Sequence, residues 1–192
     1  MNNTEINKTK FSMKFTLKFL NNHQIKKESK YIKEIENILI SNNEDFMPTL
    51  YERIDYKGTL NEKVNFQVKE KIKAGYNYIL ALNENNEVIG FTEVMIGDTI
   101  INNNPIKFIN VGTSAISKDF HGNGIAKMLY SFLDEFALKE KVDVIFRKTW
   151  SLNVKQLKLY EKFGYKEIER QVNARGQNND LVKFCKWLKN EP

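Results

Sequence analysis

The stretch DFHGNGIAKMLY, Asp119 to Tyr130, places two glycines one residue apart immediately before an amphipathic helical pattern. A helix N-terminus presents unpaired backbone N–H groups and the positive end of the helix dipole. Glycines beside it let the backbone approach a phosphate closely. Gly122 and Gly124 therefore indicate an anion-binding loop, although glycine also begins helices for steric reasons alone.

Two common nucleotide-binding motifs do not fit this loop. A dinucleotide-binding fingerprint would need a further glycine at position 127, which is Lys127. The P-loop pattern of a glycine, four residues and then Gly-Lys-Ser/Thr does not occur in the loop. The ligand therefore has to be inferred from the elements around it.

The helix pattern after the loop is amphipathic, and strand patterns flank it on both sides. Ile125, Leu129, Leu133 and Phe136 recur at the spacing of one helix face. In chain order, the residue patterns predict a strand at 15–19, a helix from Ser29, an irregular connection at 41–61, a helix at 62–74, strands at 78–83, 88–96 and 108–117, the loop and its helix, a strand at 142–150, a helix at 153–162, and strands at 165–172 and 180–188.

This order of elements predicts an α/β fold of the mixed α+β type. Two strand-helix-strand passages imply some parallel pairing, and the hairpins on either side imply antiparallel pairing. We expect a central mixed, mostly antiparallel sheet of about seven strands, flanked by about four helices. Since 192 residues suffice for one sizeable core, we predict a single domain over 13–190, after a flexible N-terminus over 1–12.

The chain is moderately basic, with 30 Lys and Arg against 24 Asp and Glu, a net charge of +6. That balance is compatible with an anionic partner such as a nucleotide, a nucleic acid or a membrane surface. The basic residues are scattered, however, which argues against nucleic-acid binding. No apolar run reaches the length that spans a bilayer. We therefore expect neither a nucleic acid nor a membrane as partner.

The cysteine and histidine content argues against disulfide and metal frameworks. Cys185 is the single cysteine, and its alternating segment LVKFCKWL predicts a buried core thiol. The two histidines, His23 and His121, form no cluster with the spacing of metal ligands, so we predict no metal site. A reducing, cytoplasmic location is the expectation.

Two motifs resemble those of the GNAT superfamily of N-acetyltransferases. In the loop HGNGIA, Gly124 and Ala126 match the family pattern, while His121 replaces its usual Gln or Arg. The predicted order of elements also matches the family fold, from about residue 13 to residue 188. The second motif is WSLNVKQLKLYEKFGYKEI at 150–168, where the matching residues are Asn153, Tyr160, Glu161, Lys162, Gly164 and Tyr165.

The resemblance implies acetyl-CoA as the donor substrate. Its pyrophosphate is expected on the backbone N–H groups of the loop, and its pantetheine arm between the strands at 108–117 and 142–150. For Asn153, the role of an ordinary helix N-cap is an equal alternative. The residues expected to bind the donor are Ala115, Ile116, Ser117, His121, Gly122, Asn123, Gly124, Ile125, Ala126 and Asn153.

Tyr160 is the general acid that the resemblance implies, because a phenol near the sulfur can protonate the departing thiolate. Its alternative is an ordinary aromatic side chain on a buried helix face. The attacking amine must be neutral, whereas an alkyl ammonium has a pKa of about 10.4. The family often takes a base from the strand at 108–117, which has no carboxylate here. Glu93 is the candidate base; an outward-facing strand residue, a water chain or no dedicated base are the alternatives.

The acceptor is expected to be a primary amine of a small molecule or a peptide. In the family, its pocket is built partly from the connection between the first two helices. Here that connection interleaves acids and aromatic rings, which either receive a cationic amine or form a hydrated loop. Members of the family are often dimers, so a homodimer is one assembly that the resemblance allows. The residues of the connection are Glu44, Asp45, Phe46, Tyr51, Glu52, Asp55 and Tyr56.

Three functions stay open at the level of the sequence. The leading prediction is an acetyl-CoA-dependent N-acetyltransferase in which the amine attacks the thioester directly in a ternary complex. A non-catalytic acyl-CoA-binding or sensing domain is the alternative; the missing strand carboxylate and His121 favour it, and Tyr160 speaks against it. A nucleic-acid-binding protein would require a concentrated face of Lys and Arg.

Overall fold

Seven strands form one sheet in the computed structural model, which describes residues 15–46, 48–174 and 176–189. The strands are β1 (Thr16–Leu20), β2 (Asn77–Leu82), β3 (Val88–Ile101), β4 (Asn104–Ile116), β5 (Val144–Trp150), β6 (Lys166–Gln171) and β7 (Leu181–Trp187). Their order is β1-β2-β3-β4-β5-β7-β6, and all neighbours are antiparallel except β4 and β5. The predicted single domain with a mixed, mostly antiparallel sheet is confirmed. The flexible stretch predicted over 1–12 and both end points of the predicted domain lie outside the described residues.

The described parts of the chain contain six α-helices, against about four predicted. Two of them, α1 and α3, are single turns and too short to show a helical period in the sequence. The helix predicted from residue 62 begins two residues earlier, because Thr59 and Glu62 cap it reciprocally through their side chains. The helices are α1 (Asn22–Ile25), α2 (Ser29–Ser41), α3 (Leu50–Arg53), α4 (Leu60–Lys73), α5 (Ile125–Lys139) and α6 (Val154–Lys162).

The helices cover both faces of the sheet, and each face has its own apolar core. α5 and α6 cover one face, where Leu133 and Ile79 belong to one cluster. α2 and α4 cover the other face, where Ile35 and Leu80 belong to a second cluster. Because successive side chains of a strand point to opposite faces, β2 contributes to both clusters. The strands that the helices cover are therefore buried, whereas β6 at the edge is exposed along its whole length, and access to the covered part of the sheet requires a gap between strands.

Such a gap exists between β4 and β5. Their parallel pairing ends at the pair Asn110 and Phe146. Beyond this pair, β4 continues along β3 to Ile116, whereas β5 continues along β7 to Trp150. The two strands therefore separate, and an opening forms at their C-terminal ends.

Candidate active site

A cavity of about 630 Å³ lies between the ends of β4 and β5 and reaches the layer that contains α4. A volume of several hundred Å³ is typical of a small-ligand site. Of the predicted catalytic and binding residues, Tyr160 and Asn153 line it. Its other main lining residues are Gly112, Thr113 and Ser114 of β4, Arg147 to Trp150 of β5, Gln156 of α6, Lys71 of α4, and Tyr76 just before β2.

Tyr160 is 4% exposed and points its hydroxyl at the end of β5. The hydroxyl donates a hydrogen bond to the carbonyl oxygen of Lys148 at 3.2 Å. Burial raises the pKa of Tyr160, and the positive charge of Arg147 opposes this effect without cancelling it. Tyr160 therefore keeps its proton at neutral pH, which is the state that a general acid requires.

Arg147 of β5, which the sequence analysis did not single out, is buried among three tyrosines, one of which is Tyr160. Its guanidinium carbon lies 3.8 Å from the ring centre of Tyr130, 5.2 Å from that of Tyr165 and 5.8 Å from that of Tyr160. Its Nε atom donates a hydrogen bond to the Tyr165 hydroxyl at 3.0 Å. Its Nη2 atom is buried and has no hydrogen-bond partner among the described residues. The sequence signal for this site is weak: a charged residue in a strand that helices cover.

Glu93 of β3 lies behind the cavity wall, opposite a β-bulge in β4. It faces two residues of β4, Gly112 and Thr113, because the pairing register shifts there. Its Oε2 atom accepts the N–H of Thr113 at 2.8 Å and lies 3.8 Å from Nζ of Lys71. A Cβ atom on Gly112 would come within 2.7 Å of that oxygen, so the close approach requires glycine. A glycine inside a strand pattern was the available signal for the bulge.

The carboxyl group of Glu93 is fully buried, so the alternative of an outward-facing strand residue is wrong. Burial raises its pKa, while Lys71 and the Thr113 N–H act in the opposite direction more weakly. Its Oε1 atom has no hydrogen-bond partner in the part of the chain that the structure describes. The group therefore combines a raised pKa with one unsatisfied oxygen, and the backbone of Gly112 separates it from the cavity.

The predicted donor-binding segment of β4 directs only part of its backbone to the opening. The N–H of Ser117 donates to the carbonyl oxygen of Ile89 at 2.9 Å, toward β3. Amide directions alternate along an antiparallel strand, so Ala115 also faces β3 and Ile116 faces the opening. In agreement, the Ile116 carbonyl lies 3.0 Å from Nε2 of His121, which joins the end of β4 to the glycine loop.

The glycine loop ends at the N-terminus of α5, as predicted. Gly122 and Gly124 have φ values of 82° and 80°, in the left-handed region that favours glycine. A Cβ atom added at either position would meet nothing within 4 Å, so the loop is open on that side. Within the described residues, the backbone N–H groups of 122–127 make no hydrogen bonds. Consecutive unpaired N–H groups of this kind form an anion-binding concavity.

Asn153 begins α6, and its side chain accepts the N–H of Gln156 at 3.2 Å. The helix-cap role is therefore confirmed, and the same residue lines the cavity. Gln156 in turn donates a hydrogen bond to the hydroxyl of Tyr130. This contact links the first turn of α6 to α5 beside Arg147.

The connection between α2 and α4 contributes Phe46 and Arg53 to the cavity, and not the acids expected there. Asp45 instead lies 3.7 Å from Nζ of Lys118. Glu52 caps the single turn of α3. Asp45 is therefore engaged in an exposed ion pair and Glu52 in a helix cap, and the cavity wall that the connection forms carries an aromatic ring, a cation and Ile54.

Three findings concern metals, thiols and membranes. Within the described residues, no group of three His, Cys, Asp or Glu side chains is placed to hold a metal ion. Cys185 is buried in a small cluster with Ile106 and Val144, so the predicted core thiol is confirmed. The described chain contains no helix that is long and apolar enough to cross a membrane.

Together, the separated strands, the bulge beside them and the glycine loop at a helix N-terminus define the architecture of a CoA-dependent acyltransferase. The chain belongs to the acetyltransferase (GNAT) family, whose model matches residues 38–165. The resemblance seen in the two sequence motifs is thereby confirmed. No curated protein sequence matches the chain.

Solved structures share this fold at low sequence identity. An aminoglycoside 6′-acetyltransferase type Ii is 15% identical with a TM-score of 0.67, over 92% of this chain and 99% of its own. The NatC complex bound to Gag peptide and CoA is 18% identical with a TM-score of 0.65, over 92% of this chain and 100% of its own. A ribosomal-protein-alanine N-acetyltransferase from Brucella melitensis is 16% identical with a TM-score of 0.64, over 90% of this chain and 99% of its own. These likenesses cover nine-tenths or more of the chain.

Proposed function

We propose that this protein transfers the acetyl group of acetyl-CoA to a primary amine by direct attack in a ternary complex. The observation that carries the proposal is the placement of Tyr160, a buried phenol, in the wall of the cavity between β4 and β5. Acetyl-CoA supplies an acetyl group activated as a thioester. The amine reaches the same opening from the α4 side, where the cavity extends.

The donor site that we propose follows the free backbone groups. The N–H groups of 122–127 bind the pyrophosphate, since they are unpaired and lie at a helix N-terminus. His121 contributes one contact beside them, and its imidazole also holds the end of β4. The amide of Ile116 and the side chain of Asn153 contact the pantetheine arm. Ala115 and Ser117 shape the strand rather than donate to the arm.

Oxyanion stabilisation in this proposal comes from the amide of Ser114. The N–H of Thr113 is occupied by Glu93, and that of Ser117 by Ile89. Alternation along β4 leaves the Ser114 N–H directed to the opening, next to the bulge. An N–H held there stabilises the negative charge that develops on the thioester oxygen. Tyr160 then protonates the sulfur as the C–S bond breaks.

Glu93 is the base in this proposal, acting through a water molecule. Its unsatisfied Oε1 atom and raised pKa suit proton acceptance, and its Oε2 atom lies against Gly112, a residue of the cavity wall. Lys71, 3.8 Å away, stabilises the carboxylate once it is formed. A relay is required because the carboxyl group does not itself line the cavity.

The acceptor that we propose is a small-molecule or peptide amine. Among the solved structures with this fold, one acts on an aminoglycoside, one on a ribosomal protein alanine, and one holds a Gag peptide. The fold therefore accommodates both classes. Phe46 and Tyr76 offer ring faces to the acceptor in the cavity wall. A cytoplasmic, homodimeric enzyme without a nucleic-acid or membrane partner completes the proposal.

Calorimetric titration with acetyl-CoA, with NAD and ATP as controls, is the first test. Selective binding of acetyl-CoA supports the donor assignment, and amines are then screened for release of CoA thiol. Binding without thiol release from any amine would favour the non-catalytic acyl-CoA-binding alternative. Equal binding of the three ligands, or none, would contradict the donor assignment itself.

A further inference from the structure

Arg147 carries a buried positive charge without a negative partner among the described residues. It forms no ion pair there, although it is only 3% exposed. Two charged side chains lie near Tyr165, Asp134 of α5 and Lys186 of β7, and they pair with each other at 2.7 Å. A guanidinium stays protonated at any physiological pH. Since an uncompensated buried charge is strongly unfavourable, the position calls for an anion that the protein alone does not supply.

The tyrosines around Arg147 compensate its charge only in part. Their ring faces attract the guanidinium, and the hydroxyl of Tyr165 accepts from Nε. The other two hydroxyls do not accept from it within hydrogen-bond geometry: Tyr130 accepts from Gln156, and Tyr160 directs its proton to a backbone carbonyl. The Nη2 atom consequently stays unsatisfied. One donor of a charged group thus stays unsatisfied in a residue that lines the cavity.

We infer that Arg147 binds the sulfur of coenzyme A in its thiolate form, at the point where Tyr160 returns a proton to it. The inference rests on the proposed function, because it requires the donor in the opening between β4 and β5. Arg147 and Tyr160 line the same cavity and lie side by side. A thiolate is the anion that acetyl transfer itself creates there. The guanidinium of Arg147 therefore pairs with a negative charge only as the C–S bond breaks.

The reaction balances without a further reactant. The amine nitrogen forms a bond to the carbonyl carbon, and the C–S bond breaks with its electron pair on sulfur. Tyr160 gives its proton to the sulfur, the proton that the amine loses passes through water to Glu93, and its release from Glu93 to solvent balances the proton that the phenol regains from solvent. Arg147 stabilises the negative charge while it resides on sulfur or on the phenolate oxygen. Arg147 is therefore a residue whose interaction is stronger in the transition state than with the bound donor.

The inference is tested by binding, with CoA and desulfo-CoA, the analogue that lacks the sulfur. Their affinities for the full-length protein are measured by calorimetry from about pH 6 to about pH 9, with the pKa of about 8.5 of a cysteine thiol as the reference. Phosphate ionisation affects both ligands equally and cancels in the ratio. If binding lowers the pKa of the CoA thiol, the ratio of the CoA affinity to the desulfo-CoA affinity rises with pH. The full rise is about tenfold for each unit by which the thiol pKa is lowered.

Arg147→Met removes the charge and keeps a side chain of similar length. The ratio of the CoA affinity to the desulfo-CoA affinity should then no longer change with pH, while the acetyl-CoA affinity changes little. Arg147→Lys keeps a charge without the planar fork and should retain part of the pH dependence. Tyr165→Phe removes only the acceptor of Nε and serves as a milder variant where Arg147→Met loses its folded state. Thermal melting of each variant shows whether it is folded.

Two results would overturn the inference. The first is a CoA to desulfo-CoA ratio that does not change with pH in the unaltered protein, which requires no variant to fold. The second is the same rise of the ratio in folded Arg147→Met. If acetyl-CoA itself fails to bind, the proposed function fails instead. A protein that binds acetyl-CoA and releases thiol, yet shows no pH-dependent preference for CoA, would refute the role of Arg147 alone.

Discussion

The hydroxyl of Tyr160 in α6 donates a hydrogen bond to the carbonyl oxygen of Lys148 in β5 at 3.2 Å. The bond lies where β5 has already parted from β4, so it fixes the phenol beside the opening. The phenolic proton is therefore held at the cavity wall by a carbonyl oxygen of β5. This geometry suits a proton that must be transferred once per reaction.

Tyr160→Phe should lower turnover by at least about a hundredfold, because it removes a general acid. The affinity for acetyl-CoA should stay nearly unchanged, since the ring and its packing are kept. Loss of one neutral hydrogen bond lowers the free energy of unfolding by about 1 kcal/mol. Thiol release and calorimetry measure the first two effects. Tyr31→Phe, a buried tyrosine on the opposite face, is the matched control. Full turnover of Tyr160→Phe across pH would remove Tyr160 from the mechanism.

Variants of Asn153 separate its cap role from the proposed contact with the donor. Asn153→Ala should lower the free energy of unfolding by about 1 kcal/mol, because the first turn of α6 loses its acceptor. Asn153→Asp keeps the cap and should keep the stability. Both variants should weaken acetyl-CoA binding, which denaturation and calorimetry together reveal. An Asp variant with the affinity of the unaltered protein would leave Asn153 as a helix cap only.

Gly124→Val should weaken acetyl-CoA binding strongly, because its side chain would occupy the open side of the N–H concavity. The substitution also strains a backbone with φ of 80°, at about 1–2 kcal/mol. Gly176→Val is the matched control: its φ is 99°, it also faces open space, and it lies between β6 and β7. The control should share the loss of stability and keep the affinity. Equal affinity of both variants would mean that the donor lies elsewhere.

The parts of the site that the sequence predicted are those encoded by local spacing. Asn153 and Tyr160 stand seven residues apart, close to two helical turns, and both line the cavity. Gly122 and Gly124 precede an apolar helical stripe, and both take the left-handed conformation that only glycine adopts easily. In each case neighbouring residues of one motif hold both positions, and the roles of Asn153 and Tyr160 were implied by the resemblance to the GNAT motif, not by the spacing alone.

The surroundings of Arg147 were out of reach of such patterns. Its three aromatic neighbours come from α5, from α6 and from the residue just before β6, so only tertiary packing brings them together. The bulge opposite Glu93 has the same origin, since it depends on the register between β3 and β4. The acids of the connection before α4 were assigned to the acceptor by type, but capping and an exposed ion pair engage them instead.

Glu93 should make the stability of the protein depend on pH, with a sign set by its raised pKa. Below its ordinary pKa of 4.5, the carboxyl group is protonated in both the folded and the unfolded state. As pH rises above that value, the unfolded state ionises freely, while the folded state resists ionisation of a buried group. The unaltered protein therefore loses stability relative to Glu93→Gln as pH rises through the folded-state pKa, and the difference then levels off.

Urea denaturation of both proteins between about pH 4 and about pH 8 measures this difference, with the unfolded state ionising as in model peptides. Glu70→Gln, which alters a half-exposed carboxylate of α4, is the control and should show a much flatter difference. A difference that is constant with pH would mean that Lys71 and the Thr113 N–H compensate the burial of Glu93 completely. A difference of opposite sign would mean that the carboxylate is stabilised by folding, and Glu93 would then be a poor base near neutral pH.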